Sequence, residues 1–394
     1  MTVRKILVTF VFILALVCVL NSCLFLQDNT STTEKQTTPE APSGTLDETP
    51  DDTPAKTPSV GLAYKVNEDK ETCTITGLGK CTDTDIVIGS YLDGYKVTAI
   101  GEIAFSDCSE ITSITIPDSV TTIGSWAFQN CTKLASITIP DSVTAMGVTV
   151  FQDCRSLESV TIGNGILEIG QNTFSGCESL TDLTIGESVA KIGESAFLGC
   201  TALTTVTIPN SVTAIENSAF LDCHELKSVT LSNSLSTIGS WAFQNCTKLA
   251  SITIPDSVTA MGVTVFQDCR SLESVTIGNG ILEIGQNTFS GCESLTDLTI
   301  GESVTKIGDF AFLGCTELTT VTIPASVISI GTAAFSDCPK LANVTFINPD
   351  GWSYAGDENG SNSTAISASD LSDPETAAKY LKETYYNDYW HRAE

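Results

Sequence analysis

Cysteine recurs every 23 residues over most of the chain, and this spacing limits the possible folds more than any other feature of the sequence. A phenylalanine precedes each of these cysteines by three positions, from Phe105 to Phe335. A repeat of this length in eleven copies predicts one elongated stack of similar units rather than several globular domains. The cysteines of the repeat are Cys108, Cys131, Cys154, Cys177, Cys200, Cys223, Cys246, Cys269, Cys292, Cys315 and Cys338.

One copy of the unit, residues 134–156, reads LASITIPDSVTAMGVTVFQDCRS. The segment 134–139 is rich in β-branched residues with apolar residues at alternating positions, which predicts a β-strand that Pro140 ends. A second short apolar stretch leads to Gly147, where the chain is expected to turn, although Glu216 replaces this glycine in one copy. The A-F-x-x-C piece that closes the unit is too short for more than one helical turn.

The consensus L-x-x-V/I-T-I-x-x-S/G-V-x-x-I-G-x-x-A-F-x-x-C resembles the BspA-like leucine-rich repeats of bacterial surface proteins. The resemblance covers residues 97–346 and a degenerate first unit before them. It implies a leucine-rich-repeat solenoid, mainly β with short helical turns, of about eleven 23-residue units. It also implies a role in adhesion to host proteins or to other cells. The repeat departs from the common eukaryotic type by lacking its asparagine ladder.

Residues 122–189 recur without a change as residues 237–304, five units further along the chain. We therefore expect the array to have grown by duplication of a segment. Because each unit of a solenoid contacts only its neighbours, the length of the array is predicted to be adjustable without loss of the fold.

The N-terminal residues carry signals of export. Arg4 and Lys5 precede an apolar run at residues 6–20, which is the layout of a secretory signal peptide over residues 1–22. The Leu-Asn-Ser sequence before Cys23 resembles the bacterial lipobox. This resemblance implies that Cys23 carries lipid and that the exported protein is displayed at the cell surface on a membrane anchor. An ordinary signal peptide, cleaved elsewhere, is the alternative.

Residues 23–60 are rich in Ser, Thr, Pro, Asp and Glu and contain little that could be buried in a core. Their acidic charges repel one another and their prolines stiffen the chain. We predict that they form a lipid-anchored tether that spaces the folded part away from the membrane.

The segments that flank the repeats differ from them in sequence, and a solenoid needs such segments to cover its open apolar ends. Residues 61–96 are predicted to form an N-terminal cap, and residues 347–394 a C-terminal cap with a short helix. In an exported protein Cys73 and Cys81 could form a disulfide or remain two free thiols. The aromatic residues beyond residue 350 predict either packing over the last repeat or a platform that stacks on sugars.

The acidic composition excludes several classes of function. The chain has 19 Lys and Arg against 47 Asp and Glu, a net charge of −28, whereas a nucleic-acid binder needs clustered cations.

Only His224 and His391 could act as histidine bases, and no serine or cysteine motif lies beside either. CxxC pairs and D-x-D-x-D-G loops do not occur. We therefore expect no enzyme, no metal and no cofactor, and we expect the cysteine column to be buried as small hydrophobic side chains.

Two sets of residues are candidates for a ligand-binding face. Trp126 and Trp241 occupy equivalent positions five units apart and are either exposed anchors or half-buried. In the predicted strand, the residue before the second apolar position is threonine in every copy, and alternation turns it away from the core. These threonines are Thr115, Thr138, Thr161, Thr184, Thr207, Thr230, Thr253, Thr276, Thr299, Thr322 and Thr345.

Together these features predict a monomeric surface adhesin that binds an extracellular protein or a glycan and contacts the membrane only through its lipid. A structural spacer without a specific ligand is one alternative. A surface lipoprotein that captures polysaccharide is the other.

Overall fold

The structure is a computed structural model that describes residues 56–393. The predicted signal peptide, Cys23 and most of the predicted tether lie outside the described residues. Residues 56–393 form a solenoid of parallel β-strands, so the prediction of a mainly β repeat protein is confirmed. None of the helices in this part of the chain is long and apolar enough to cross a membrane.

Each turn of the solenoid contains a main strand whose residues alternate between the core and the surface. In Ser136–Ile139, for example, Ile137 and Ile139 are buried and the two hydroxyl residues are exposed, as β-branched residues on a half-buried strand require. The main strands are Asp85–Val87, Ser113–Thr115, Ser136–Ile139, Ser159–Ile162, Asp182–Thr184, Thr205–Thr207, Ser228–Thr230, Ser251–Ile254, Ser274–Ile277, Asp297–Thr299, Thr320–Ile323 and Asn343–Phe346.

A shorter second strand follows the main strand after a turn at proline, glycine or serine. The second strands also pair in parallel with one another and form a separate sheet beside the main strands. They are Tyr95–Ile100, Thr122–Ile123, Ala145–Met146, Glu168–Ile169, Lys191–Ile192, Ala214–Ile215, Thr237–Ile238, Ala260–Met261, Glu283–Ile284, Lys306–Ile307 and Ser329–Ile330.

Neighbouring turns of the solenoid are in register, so that equivalent residues lie side by side. Thr161 pairs with Thr138 on one side and with Thr184 on the other. The same register recurs at Thr207 with Thr230 and through the later main strands. Each column of the sequence repeat is therefore a row of side chains along the solenoid.

The segment after each second strand is a succession of hydrogen-bonded turns, and the described repeats contain no helix. In the first copy, the N–H groups of Ser106 and Cys108 donate to the carbonyls three residues earlier, whereas the N–H of Phe105 donates to Ala127 O in the next unit at 2.7 Å. In every copy, the residue two before the phenylalanine and the residue just before the cysteine have positive φ. A right-handed helix cannot contain such residues, which explains why the expected helical turn is absent.

The core consists of rows of identical side chains. Eleven phenylalanine rings, from Phe105 to Phe335, stack with centroids 5.1–5.4 Å apart and planes within 11° of parallel. Ten of the eleven cysteines are buried beside this stack, and Cys108 is partly buried. A buried thiol donates to the phenylalanine carbonyl of the preceding unit, as Cys154 does to Phe128 O at 3.1 Å. The cysteine column thus serves as part of the core.

Glycine ends most of the second strands because neighbouring units approach closely there. A Cβ on Gly147 would lie 2.4 Å from the backbone nitrogen of Ser125, which is closer than atoms can approach. The φ of this glycine is not in the left-handed region, so close approach rather than backbone conformation requires it. Glu216 nevertheless follows the same path, and its N–H donates to Ile192 O at 2.9 Å, as the N–H of Gly147 does to Ile123 O.

The N-terminal end of the solenoid contains the degenerate first unit that the sequence indicates before residue 97. The first main strand, Asp85–Val87, lies within the predicted cap and pairs in parallel with Ser113–Thr115, which makes twelve turns instead of eleven. The antiparallel strands Ala63–Val66 and Thr72–Gly77 precede it, and the second of them pairs with Tyr95–Ile100. The short strand Tyr91–Leu92 also pairs with Tyr95–Ile100.

The C-terminal residues extend the sheet of second strands and then pack on the last main strand. Tyr389–Arg392 pairs antiparallel with Ser329–Ile330, and Trp352–Ala355 and Thr364–Ala365 continue the sheet. The helices are α1 (Ala368–Leu371), α2 (Pro374–Lys379) and a π-helix (Tyr380–Thr384). Helix α2 begins with Pro374, and the carboxylate before it accepts the N–H of Thr376 at 2.8 Å, which is a typical helix start.

Candidate functional site

The eleven threonines of the main strands form one continuous exposed surface, which we call the hydroxyl face. All eleven are exposed, and each lies between two inward-facing side chains of its strand, most of them fully buried. Parallel register places neighbouring threonines directly beside each other. Serine or threonine occupies most of the second outward-facing column of the same strands, and Asp182 and Asp297 are the only charged residues in either column from Ser113 to Thr345.

The hydroxyls of these eleven threonines make no hydrogen bond to any residue in the described part of the chain. Many threonines in other columns behave differently, because they donate to the backbone of the preceding unit. Thr121 donates to Thr98 O at 3.2 Å, Thr213 to Ala190 O at 3.3 Å and Thr305 to Leu282 O at 3.1 Å. The hydroxyl face therefore presents donors and acceptors that the fold itself does not use.

A groove of about 590 Å³ lies at the N-terminal end of the hydroxyl face. Thr115 and Thr138 line it together with the carboxylates of Asp118 and Asp141 and with Lys56. The hydroxyl of Ser113, which also lines this groove, is buried and has no hydrogen-bond partner. The groove thus combines hydroxyl and carboxylate groups that can bind a polar ligand.

The two predicted tryptophans belong to a different surface. Trp126 and Trp241 lie in the ladder of turns beyond the second strand, whereas the threonines lie on the main strands. Their side chains are 37% and 42% exposed. The structure therefore does not bring the two sets of predicted binding residues together on one face.

Several thiols of the repeat are unreactive because they are buried. Burial raises the pKa of Cys177, Cys223 and Cys292 well above the ordinary value for cysteine. Even the partly buried Cys108 has its pKa raised to about 11, chiefly by burial. These thiols are therefore protonated at neutral pH, and a thiol that is not ionised is a poor nucleophile and a poor metal ligand.

The remaining candidate residues are two cysteines near the N-terminal end of the solenoid, the tryptophans of the C-terminal cap, and Cys23. Cys73 and Cys81 are both buried and are not joined to each other in the structure. Trp352 and Trp390 are each 1% exposed and pack against Phe346 of the last main strand, so their rings cannot stack on a sugar. Cys23 lies outside the described residues.

Neither histidine lies in a catalytic arrangement within the described residues. His224 is exposed, and its Nε2 lies 3.8 Å from a carboxylate oxygen of Asp222. His391 lies in the terminal strand, and its Nε2 is buried without a partner. In residues 56–393 there is no group of three or more His, Cys, Asp or Glu side chains that could hold a metal ion.

Sequence reasoning missed a polar ladder that joins the units beside the hydroxyl face. The side chain of Asp141 accepts the N–H of Asn164 at 2.6 Å, and Asn164 accepts the N–H of Glu187 at 2.8 Å. The duplicated residues Asp256 and Asn279 repeat the pattern. The signal in the sequence is the frequent Asp or Asn two positions before the valine of the P-x-S-V segment, which differs in position from the asparagine ladder of common leucine-rich repeats.

Comparisons with known proteins agree with this architecture. The model of the BspA type leucine rich repeat region matches residues 98–227, 213–342 and 262–371. A leucine rich cell surface protein from Faecalibacterium prausnitzii is 31% identical, with 75% of this chain and 96% of that chain covered and a TM-score of 0.41. A leucine-rich repeat protein from Bacteroides ovatus is 29% identical, with 73% and 87% covered and a TM-score of 0.48. No curated protein matches the chain.

A parallel solenoid with a continuous exposed face of free hydroxyls is a repeat scaffold of the kind that offers an extended surface to partners. With residues 98–371 matched by the family model, the chain belongs to the family of BspA-type leucine-rich-repeat proteins. Bacterial surface proteins are among its relatives of known structure. Solenoids of leucine-rich repeats are typically binding scaffolds without catalytic groups, and this family membership indicates an interaction module.

Proposed function

We propose that this protein is a surface adhesin without catalytic activity that binds an extracellular protein or glycan through its hydroxyl face. The observation that carries the proposal is the row of eleven exposed threonine hydroxyls, none of which bonds to a described residue of the fold. A ligand that follows the solenoid can bond to several of them at once. Each such bond is weak, so a broad contact along the row supplies the affinity.

The central prediction replaces three neighbouring hydroxyls of the face by methyl groups. Valine keeps the shape and the strand preference of threonine, so Thr138→Val, Thr161→Val and Thr184→Val together should change the unfolding free energy by less than about 1 kcal/mol. Loss of three hydrogen bonds at about 0.5–1.5 kcal/mol each should weaken binding by at least about tenfold. The affinity is measured by screening residues 56–394 against an array of matrix proteins, glycans and bacterial surface fractions. The ligand found there is then titrated against the unchanged protein and the triple variant.

The matched control changes three threonines whose hydroxyls already bond to the backbone. Thr121→Val, Thr144→Val and Thr213→Val remove the same atoms from the side of the second strands and should leave binding unchanged. Equal binding by both triple variants would show that the hydroxyl face is not the site. A folded protein that binds nothing in the array would favour the structural spacer, and preference for polysaccharide over protein would favour the polysaccharide-capturing alternative.

We further propose that lipid on Cys23 holds the protein at the cell surface. The lipobox-like sequence before Cys23 supports this proposal. The F. prausnitzii relative, which is described as a cell surface protein, supports it as well. Cys23→Ala should abolish incorporation of a labelled fatty acid and release the protein into the medium, because stable anchoring needs covalent acyl chains. Cys18→Ala, which changes the other cysteine of the leader, should leave labelling intact. Undiminished labelling of the Cys23 variant would contradict the anchor.

A further inference from the structure

A second surface, on the side of the glycine-ended strands, contains a groove of about 490 Å³. Met146 and Val148 line one end of this groove. The carboxylate residues Glu168, Glu194 and Glu216 line it further along the solenoid. One groove thus joins an apolar end to an acidic end, and none of the residues of the hydroxyl face takes part in it.

Trp126 lies next to the apolar end but is not among the residues that line the groove. It follows Ser125, which lines the groove, and its backbone N–H donates to Val148 O at 3.1 Å. Its φ of 57° is in the left-handed region, which costs a bulky residue roughly 1–2 kcal/mol, whereas Asn172 fills the same column with a residue suited to that conformation. The indole N–H donates to no described residue. The fold therefore carries an exposed aromatic side chain at a position where asparagine would be more stable.

The acidic end has more carboxylates than its one cation can pair. Lys191 lies 3.4 Å from Glu168 and 3.2 Å from Glu216, and these carboxylates, Glu216 first, raise the pKa of Lys191. Glu194 has no cation within ion-pair distance among the described residues. Three carboxylates against one ammonium leave this end of the groove negative.

The residues that line this groove recur around Trp241 in the duplicated segment with two differences, and we call this equivalent surface the second groove. Met261 and Val263 correspond to Met146 and Val148 of the first groove. Lys306, which corresponds to Lys191, lies 3.2 Å from Glu283. Position 331, which corresponds to Glu216, is glycine, and Asp309 corresponds to Glu194. The C-terminal cap restores the missing carboxylate, because Glu358 lies 3.9 Å from Lys306. A separate part of the chain thus completes the second acidic end.

The two tryptophans are five units apart. Five steps of 5.1–5.4 Å between successive phenylalanine rings separate Phe128 from Phe243, so the two grooves are about 26 Å apart along the stack. Parallel register keeps them on the same side of the solenoid. One elongated partner can therefore reach both grooves.

We propose that these two grooves bind a protein partner at two places, each through a peptide segment in which an apolar side chain adjoins a lysine or arginine. The apolar side chain packs on tryptophan, methionine and valine, and the cation lies among the carboxylates. An anion is excluded by repulsion, and a neutral ligand leaves the acidic end unused. The net negative charge of the protein attracts such a cationic partner from a distance. The site is independent of the hydroxyl face, so each can fail without the other.

The probe is the capped peptide Gly-Leu-Arg-Leu-Gly, used singly and as a tandem with a flexible linker that spans the two grooves. Because Trp352 and Trp390 are buried, the fluorescence changes on binding report on Trp126 and Trp241. We expect two sites for the single peptide. We expect the tandem to bind at least about tenfold more tightly than the single peptide, because the second contact is intramolecular. Replacing Arg by Glu in the peptide should abolish binding.

The variants use residues that the fold already accepts in this column. Trp126→Asn and Trp241→Asn should each leave one site and remove the advantage of the tandem, and the double variant should bind neither peptide. Asn172 and Asn287 already hold the same left-handed conformation, so folding is retained. Tyr91→Ser, which removes an exposed aromatic ring outside both grooves, should change nothing. A single site, binding of the Glu peptide, or full binding by the double variant would each overturn the proposal.

Discussion

Phe220→Ala is expected to lower the free energy of unfolding by about 3–5 kcal/mol, which is the usual cost of removing a buried aromatic ring. Phe220 is completely buried at the middle of the stack, with ring centroids 5.2 Å from Phe197 and 5.3 Å from Phe243. Alanine leaves a cavity between two rings, and neither neighbour can close it because the register of the backbone ladder fixes both. Chemical denaturation followed by circular dichroism measures the change.

Because neighbouring units stabilise each other, the effect should also appear in the shape of the transition. A weak point in the middle of a repeat array separates the two halves, so the single unfolding transition should broaden or split. Phe310→Ala is the control, since Phe310 is only partly buried and lies outside the stack. It should cost less than about 1 kcal/mol. Equal losses for the two variants would show that the stack is not the main support of the core.

The fold could be predicted from the sequence because the same constraints appear eleven times. Phenylalanine and cysteine columns mark buried rows, and alternation in segments such as 136–139 marks which side chains face out. The exposure of all eleven threonines follows from that alternation alone. Periodicity thus predicts the rows, since a row depends only on the register between units.

The ladder of turns was not predictable in this way, and the start of the array was predictable only in outline. The left-handed residue before each cysteine is always Asp, Asn or Gly, residues that favour this conformation. The other left-handed column contains Trp, Ile, Thr and Phe, which do not indicate a left-handed conformation in the sequence. The first main strand, Asp85–Val87, lacks the consensus, so the sequence indicated only a degenerate first unit, and the pairing with Ser113–Thr115 makes it the first turn of the solenoid.

The candidate site was predicted in its residues but not in its geometry. Sequence spacing placed the threonines and tryptophans in separate columns without showing that these columns lie on different sides of the coil. The contribution of Glu358 to the second groove depends on how the C-terminal cap folds back, which no repeat pattern encodes. Whether a hydroxyl is free or bonded to the backbone likewise depends on distances between units, as the contrast between Thr138 and Thr121 shows.

Deletion of residues 124–238 is expected to give a folded protein with seven main strands instead of twelve. The deletion removes 115 residues and joins Ile123 to Gly239, and the joined sequence is identical to the original because residues 237–304 repeat residues 122–189. Every contact between neighbouring units of the shortened protein therefore already exists in the full chain. The segment that follows residue 304, for instance, still packs on the same unit as before.

Unfolding of the shortened protein should remain cooperative, with a denaturant m-value lower by about a third, because m scales with the surface that unfolding exposes and 115 of the 338 described residues are lost. A control that lacks residues 124–227 instead joins a second strand directly to a main strand and should not fold cooperatively. The shortened protein retains only the second groove, at Trp241, so the single peptide should bind at one site. Loss of cooperative unfolding would show that stability requires contacts beyond nearest neighbours, whereas two remaining peptide sites would contradict the pairing of grooves with tryptophans.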